Sequence, residues 1–343
     1  MRRLPAFFPS WSVGRKILAG TLLLLLLAAG YDVWWHQLAA RLQSELDRWI
    51  AERQAAGWVV ATGAVTVRGF PLRMEMTFEE PSIADPLGNR WQGPQLTATI
   101  SPFAVGQSHL DAPGRHQLSI AGAAPVALTV DRLSGELSIG LNGVSQVAVD
   151  IGGLAVNQLH ADHLAVTVRR LAAGPVTHAD ASWGVVTSME SVRFPEDPRL
   201  PFGPTLSSAH LEARLMGDMA RGRPLDALTA WRDDGGTVEI DALTLDWPPL
   251  ALTGKGTLAL DGRMQPILAS NCTVRGLFEA VDVLTRAGSV RAQDAAMVKL
   301  VLGLLMKPGP DGTQALTIPM TIQNRRLSVG PVALFEVPEI SWH

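Results

Sequence analysis

Residues 237–260 read TVEIDALTLDWPPLALTGKGTLAL. Leu243, Leu245 and Trp247 alternate with Thr244 and Asp246, and Leu258 and Leu260 alternate with Ala259. A period of two places the apolar residues on one side of an extended strand and the polar ones on the other. Asp261-Gly262 follows, a dipeptide suited to a tight turn between strands. The same grammar extends in both directions. Strands are expected over residues 96–100, 117–120, 126–130, 135–141, 146–151, 164–169, 181–192 and 208–216. Others are expected over 271–276, 314–323 and 326–329. Near the start, Val65 and Val67, then Leu72, Met74, Met76 and Phe78, alternate around a bend at Arg68-Gly69-Phe70-Pro71. Asn142-Gly143 and Asp234-Gly235 are further turn signals.

Strands with one apolar face must roll up, stack or take a lid. The expected fold is mostly β: a long curved antiparallel sheet or flattened β-roll. It is preceded by an N-terminal transmembrane helix and an amphipathic helix. Residues 224–231 suggest a short helix, and residues 277–306 a C-terminal helical hairpin broken at Gly288. Ala296, Met297, Leu300, Val301, Leu304 and Leu305 make its second arm very apolar.

The N-terminal run over residues 17–31, ILAGTLLLLLLAAGY, includes six consecutive leucines. With Trp34 and Trp35 it approaches the roughly 20 residues that a membrane-spanning helix requires. Arg15 and Lys16 precede it, so the positive-inside rule leaves residues 1–16 in the cytoplasm, 17–35 in the membrane and 57–343 outside as a β-rich domain. The rival is a cleaved signal peptide with Ala28-Ala29-Gly30 as its site, which would start the mature chain inside a continuous helix. Either reading exports the bulk. Residues 36–56 read as an amphipathic helix, with Trp34, Leu38, Leu42, Leu46, Trp49 and Ile50 as its apolar stripe. Arg41–Glu45 and Arg48–Glu52 are spaced for ion pairs, and Gly57 for a C-cap.

Composition narrows function. A net charge of −3 without a single-sign block argues against a nucleic-acid surface. The lone Cys272 means an exported domain without an internal disulfide. His160 and His163 flank Asp162, but residues three apart on a strand face opposite sides and no third ligand follows. His178 and Asp180 are expected to share a strand face but lack a partner nucleophile; Ser182 is available, yet no nucleophile elbow surrounds it. Gly254-Lys255-Gly256-Thr257 lacks the upstream glycine and the helix of a phosphate loop. The pairs Glu79-Glu80 and Asp233-Asp234, and the doublets Arg169-Arg170 and Arg325-Arg326, read as solvated positions. The expectation is therefore no catalytic, metal-binding or cofactor-binding residues, no cofactor and no enzyme. The expected partners are membrane lipid or another apolar ligand, or an envelope protein.

The order of landmarks is Gly57-Trp58, then Arg68-Gly69-Phe70-Pro71-Leu72-Arg73, Trp91-Gln92-Gly93-Pro94, Gly254-Lys255-Gly256-Thr257-Leu258, a helical hairpin and a closing stretch over 326–335. In this order the chain resembles the bacterial domain-of-unknown-function 2125 family of anchored proteins, over almost its whole length. That family is similar in layout to AsmA-like envelope proteins, with one anchor and a long sheet apolar on its concave face. The resemblance implies a periplasmic protein, held by one pass in the bacterial inner membrane, that binds or passes lipid in envelope maintenance. The alternative is a non-catalytic envelope scaffold. It supplies no catalytic residues, and fold likeness is a weak warrant for function.

Overall fold

The computed structural model describes residues 13–140, 142–197, 200, 202–219, 224–288, 290–308, 314–329 and 332–342. Most of the expected tail, residues 1–12, lies outside them, as do Leu141 and the side chains of Leu304 and Leu305.

The chain opens with one helix, α1 (Val13–Ala55). The segments 17–35 and 36–55 form this helix without a break, as the sequence suggests, and residues 13–16 of the expected tail are its first residues. Nothing in Leu22–Leu27 or beyond it supplies a breaker, and leucine, alanine and glutamate sustain the helix. It ends as a Schellman turn: Gly57 takes a φ of 84° and donates to Gln54 O, while Trp58 N donates to Arg53 O. Arg48 pairs with Glu45 at 2.9 Å, three residues back, instead of with Glu52.

Then come β1 (Val59–Ala61), β2 (Val65–Arg68), β3 (Met74–Phe78), β4 (Ser82–Ala84), β5 (Arg90–Gln92), β6 (Leu96–Ser101), β7 (Ala104–Asp111), β8 (Gly114–Ser119) and β9 (Val126–Val130). Longer strands follow: β10 (Arg132–Gly140), β11 (Gly143–Val156), β12 (Leu159–Arg170), β13 (Ala181–Arg193) and β14 (Thr205–Met216). Helix α2 (Pro224–Asp233) leads to β15 (Val238–Trp247), β16 (Leu250–Leu260) and β17 (Pro266–Arg275). The hairpin of α3 (Leu277–Arg286) and α4 (Ala292–Leu305) precedes β18 (Lys307–Pro308), β19 (Gln314–Gln323), β20 (Arg326–Val329) and β21 (Val332–Glu336).

All the strands belong to one antiparallel sheet, which does not close on itself. Two arms meet at β11. One runs β2–β3–β6–β7–β10 and pairs with the first part of β11. The other runs β1–β4–β5–β8–β9 and pairs with Ala155 and Val156 at its end. From β11 onward each strand pairs with the next through β17, and then with β19, β20 and β21. Asn142-Gly143 and Asp261-Gly262 do turn between neighbouring strands. Asp234-Gly235 instead ends α2, where Gly235 N donates to Arg232 O.

Helix α1 lies on the sheet through Trp35, Ala39 and the fully buried Met74, with Tyr31, Leu38, Leu42 and Val67 packed around them. The expected stripe is correct at Leu38 and Leu42, but it is Trp35 that is buried, while Trp34 and Trp49 are exposed. Leu18 and Leu22–Leu27 are exposed. Among the described residues, this one helix is long and apolar enough to cross a membrane.

Candidate functional site

The register sorts the long strands into two unlike faces. Leu164, Met189, Ala209, Leu245, Leu252 and Val274 stand opposite one another from β12 to β17. Two residues along, Val149, Val166, Leu211, Leu243, Cys272 and Ile318 share that side. The next row on the same side includes Val147, Val168, Val185, Ala213, Ile240 and Met320. The intervening rows carry Asp150, Ser188, His210, Thr244, Thr253 and Thr273 on the opposite side.

Besides the bulge between Ile240 and Leu243 on β15, the alternation is broken along one line across β11–β13. Gly153 and Ser191, with φ of 64° and 52°, lie on either side of Asp162. Beyond that line, residues three apart join one cluster: Ala161 with Leu164, Val192 with Met189, and Leu206 with Ala209. A strict period of two would send them to opposite faces. The crease changes the phase of the strands and keeps the apolar face continuous to Phe194 and Trp247. A side chain at Gly153 would meet the Asp131 carboxylate at 2.0 Å.

The apolar face is unevenly covered. Leu268, Cys272 and Val274 on β17 are buried, whereas Val147 and Val166 are 39 % and 43 % exposed. Helix α4 also leaves apolar surface open at Met297, Val298, Leu300 and Val301, although Lys299 ties it to Asp282 of α3 at 2.6 Å. Such an arrangement supplies a large, weakly directional surface, with Thr187 and Ser270 interspersed among its apolar residues.

The opposite face holds local ion pairs. His163 Nε2 lies 2.6 Å from Asp150 Oδ2, and Arg132 Nε lies 3.2 Å from Asp150 Oδ1. The bond to His163 holds the Asp150 carboxyl below the usual carboxylate range, and Arg132 adds to the effect. Arg214 grips Asp241 with two bonds of 2.6 Å, which lowers the Asp241 pKa in the same way. Asp241 is the extra residue of a bulge, since Ala213 faces Ile240 and Glu212 faces Ala242.

His160 does not join His163; its Nδ1 lies 3.2 Å from Gln158 O. Among the described residues no group of three or more His, Cys, Asp and Glu could hold a metal ion. His178 and Asp180 lie in a turn before β13 rather than on a strand. Asp180 accepts bonds from Thr177 N and Oγ1, which lower its pKa, and Ser182 Oγ donates to Leu215 O at 3.1 Å. Beside them is a cleft of about 250 Å³ between His178, Gly217 and Trp231, below the usual range of a small-molecule pocket. Gly254 and Gly256 lie inside β16, paired with β15 and β17. Sequence reading missed His116, which is nearly fully buried on β8 with Nε2 bonded to Ala112 O; burial lowers its pKa. Only a structure pairs β8 with β5 and β9 and so encloses it.

Residues 35–338 match the model of a family described as uncharacterized proteins conserved in bacteria, DUF2125. The chain belongs to this family. No curated protein and no solved structure matches it. The DUF2125 match begins at Trp35, the first residue of α1 that the sheet buries, and ends just beyond β21. The unit that defines DUF2125 is therefore the sheet with the helical segment that seats on it. The leucine run precedes it.

Proposed function

We propose that this DUF2125 protein is a non-catalytic envelope protein that binds or passes a lipid acyl chain, or a ligand of similar apolarity, on the apolar face of its sheet. The observation that carries this is the run of mostly apolar rows from β11 to β19, interrupted at Thr187 and Ser270, with β17 buried and Val147 and Val166 open. Apolar surface left in water costs about 25 cal/mol per Å², so a hydrocarbon laid on the open part is stabilised by its removal from water. Location supports the same reading. With Arg15 and Lys16 inside, α1 anchors the sheet on the periplasmic side of a bacterial inner membrane, next to a source of lipid. The engagement of Asp180 and Ser182 in local bonds favours a non-catalytic role.

The test is mass spectrometry of lipids released from the full chain after gentle extraction, compared with a Val147→Asn, Val166→Asn variant. Lipid held in excess by the native chain supports the reading. Equal lipid content in both, as a helix anchor alone would give, overturns it.

A second reading is favoured by the exposed Met297, Val298, Leu300 and Val301 of α4. They suit a protein partner in the envelope, and photo-crosslinking from position 297 in cells would capture that partner or eliminate the idea.

A further inference from the structure

A second apolar surface lies where α1 leaves its leucine run. Tyr31 is the last residue of that run. Its ring stacks on Phe103 at 6.0 Å with planes 12° apart, and lies 6.1 Å from Phe70. Its hydroxyl donates to Pro71 O. Phe70 and Pro71 belong to the turn between β2 and β3, and Phe103 to the turn between β6 and β7. Two turns of the sheet are therefore fixed to the helix at the height where its hydrocarbon-like stretch ends.

These turns do not bury their apolar residues. Leu72 and Phe103 are 70 % and 71 % exposed, and Phe70, Val33 and Trp34 are also exposed. In water the cluster would be an exposed apolar patch of the kind that marks an interaction surface. Its occupant is set by what adjoins it. The helical rise of 1.5 Å per residue puts Tyr31 about 6 Å beyond Leu27, within the thickness of a headgroup layer. Aromatic side chains are favoured in that layer. Arg68 and Arg73 flank the turn on either side and both are exposed; Arg73 pairs with Glu75 at 2.7 Å, so Arg68 is the cation placed where anionic headgroups lie.

We propose that the turns carrying Phe70, Leu72 and Phe103 insert into the membrane interface beside α1, so that the sheet rests on the bilayer at three points instead of hanging from one helix. The proposal rests on α1 spanning the membrane. With α1 unbroken and Trp35 packed on Met74, neither the height nor the tilt of the sheet is free.

The test uses the full chain with Cys272→Ala, reconstituted in vesicles of phosphatidylethanolamine and phosphatidylglycerol, with single cysteines at Leu25, Leu72, Phe103 or Leu87. Leu87 is the control: it is 77 % exposed, in the turn beside Pro86, and Pro86 lies next to Gly57 at the far end of α1. A membrane-impermeant thiol reagent should modify positions 25, 72 and 103 more slowly than 87 by about an order of magnitude. Adding Phe103→Asp should restore reactivity at position 72, because the turns share one seat. Protection at 25 but not at 72 and 103 overturns the proposal and leaves the anchor standing. Reactivity at 25 as well overturns both. Protection at 72 and 103 that disappears on dilution to one chain per vesicle assigns the patch to a second copy and overturns the lipid contact.

Discussion

Any Cβ added at Gly254 would lie 2.7 Å from Cys272 Sγ on the neighbouring strand. The two residues are directly paired, on the apolar side of the sheet. The close approach explains why the chain's single cysteine is buried to 1 % exposure, and why a glycine sits in the middle of β16. Gly254→Ala should destabilise the sheet by about 1–3 kcal/mol through overpacking. Cys272→Ala should recover part of that loss in the double variant, a coupling of about 0.5 kcal/mol or more by denaturant titration. Simple additivity would show that β16 and β17 separate freely.

Trp35 is buried against Met74, yet its Nε1 finds no hydrogen-bond partner among the described residues. Replacing the whole ring and removing the orphaned donor should therefore have different effects. Trp35→Ala should cost about 3–5 kcal/mol at the helix–sheet contact, as should Met74→Ala at about 2–5 kcal/mol. Trp35→Phe should change stability by only about 1 kcal/mol, because the unpaired N–H is removed with the lost area. Thermal unfolding followed by circular dichroism separates these outcomes.

Asp150 and Asp241 have folded-state pKa values below the ordinary carboxylate value because His163 and Arg214 bind their charged forms. The folded chain thus holds these protons less tightly than the unfolded chain, whose carboxylates titrate near ~3.9. The stabilisation is present above that value and is lost as pH falls through the lower folded value. Asp150→Asn and Asp241→Asn should each lower the Tm at neutral pH, and the difference from the native chain should shrink below about pH 4. A gap that stays constant into acid would mean that neither charge matters. Both side chains are well exposed, so each effect should be modest and reduced by salt.

Val147 and Val166 are the open positions of the apolar face. Because they are already partly in water, Val147→Asn and Val166→Asn should cost less than about 1 kcal/mol each, in contrast to substitutions at Leu268 or Cys272. Retained lipid should nevertheless fall several-fold in the double variant. Unfolding titrations run alongside the lipid assay check that the first effect is small.

The alternating residues made the sheet legible wherever one face is apolar. Expected strands stop short in a telling place. Readings of 146–151, 164–169 and 208–216 end or begin next to the crease, whereas the strands run on through Val156, from Leu159 and from Thr205. There the apolar spacing becomes three, which no strand period contains, and only the backbone at Gly153 and Ser191 reconciles it. The short strands β1, β4 and β5 were illegible because three residues carry too little pattern. In α1 the composition gave the helix but not its rotation: Trp34 and Trp35 are chemically alike, and the position of Met74 selects Trp35. The apolar face could be inferred residue by residue, but whether it was covered depended on the sheet remaining open.

The order of pairing also has a consequence for assembly. From β11 on, each strand except the two-residue β18 is laid against one that precedes it in the chain, and both arms that meet at β11 are complete by Val156. Within the arms β1 waits for β4, β3 for β6, β5 for β8 and β7 for β10, but no strand before β11 waits for one beyond it. A chain that appears from its N-terminus onward can therefore add one hairpin at a time to an existing edge. Among the described residues the chain makes helical detours at α2, between β14 and β15, and at the hairpin between β17 and β19, and each returns it to the edge it left. Such growth keeps loop closures short and folding contacts local. At every stage it also leaves one unpaired edge, the place where an interrupted chain would aggregate.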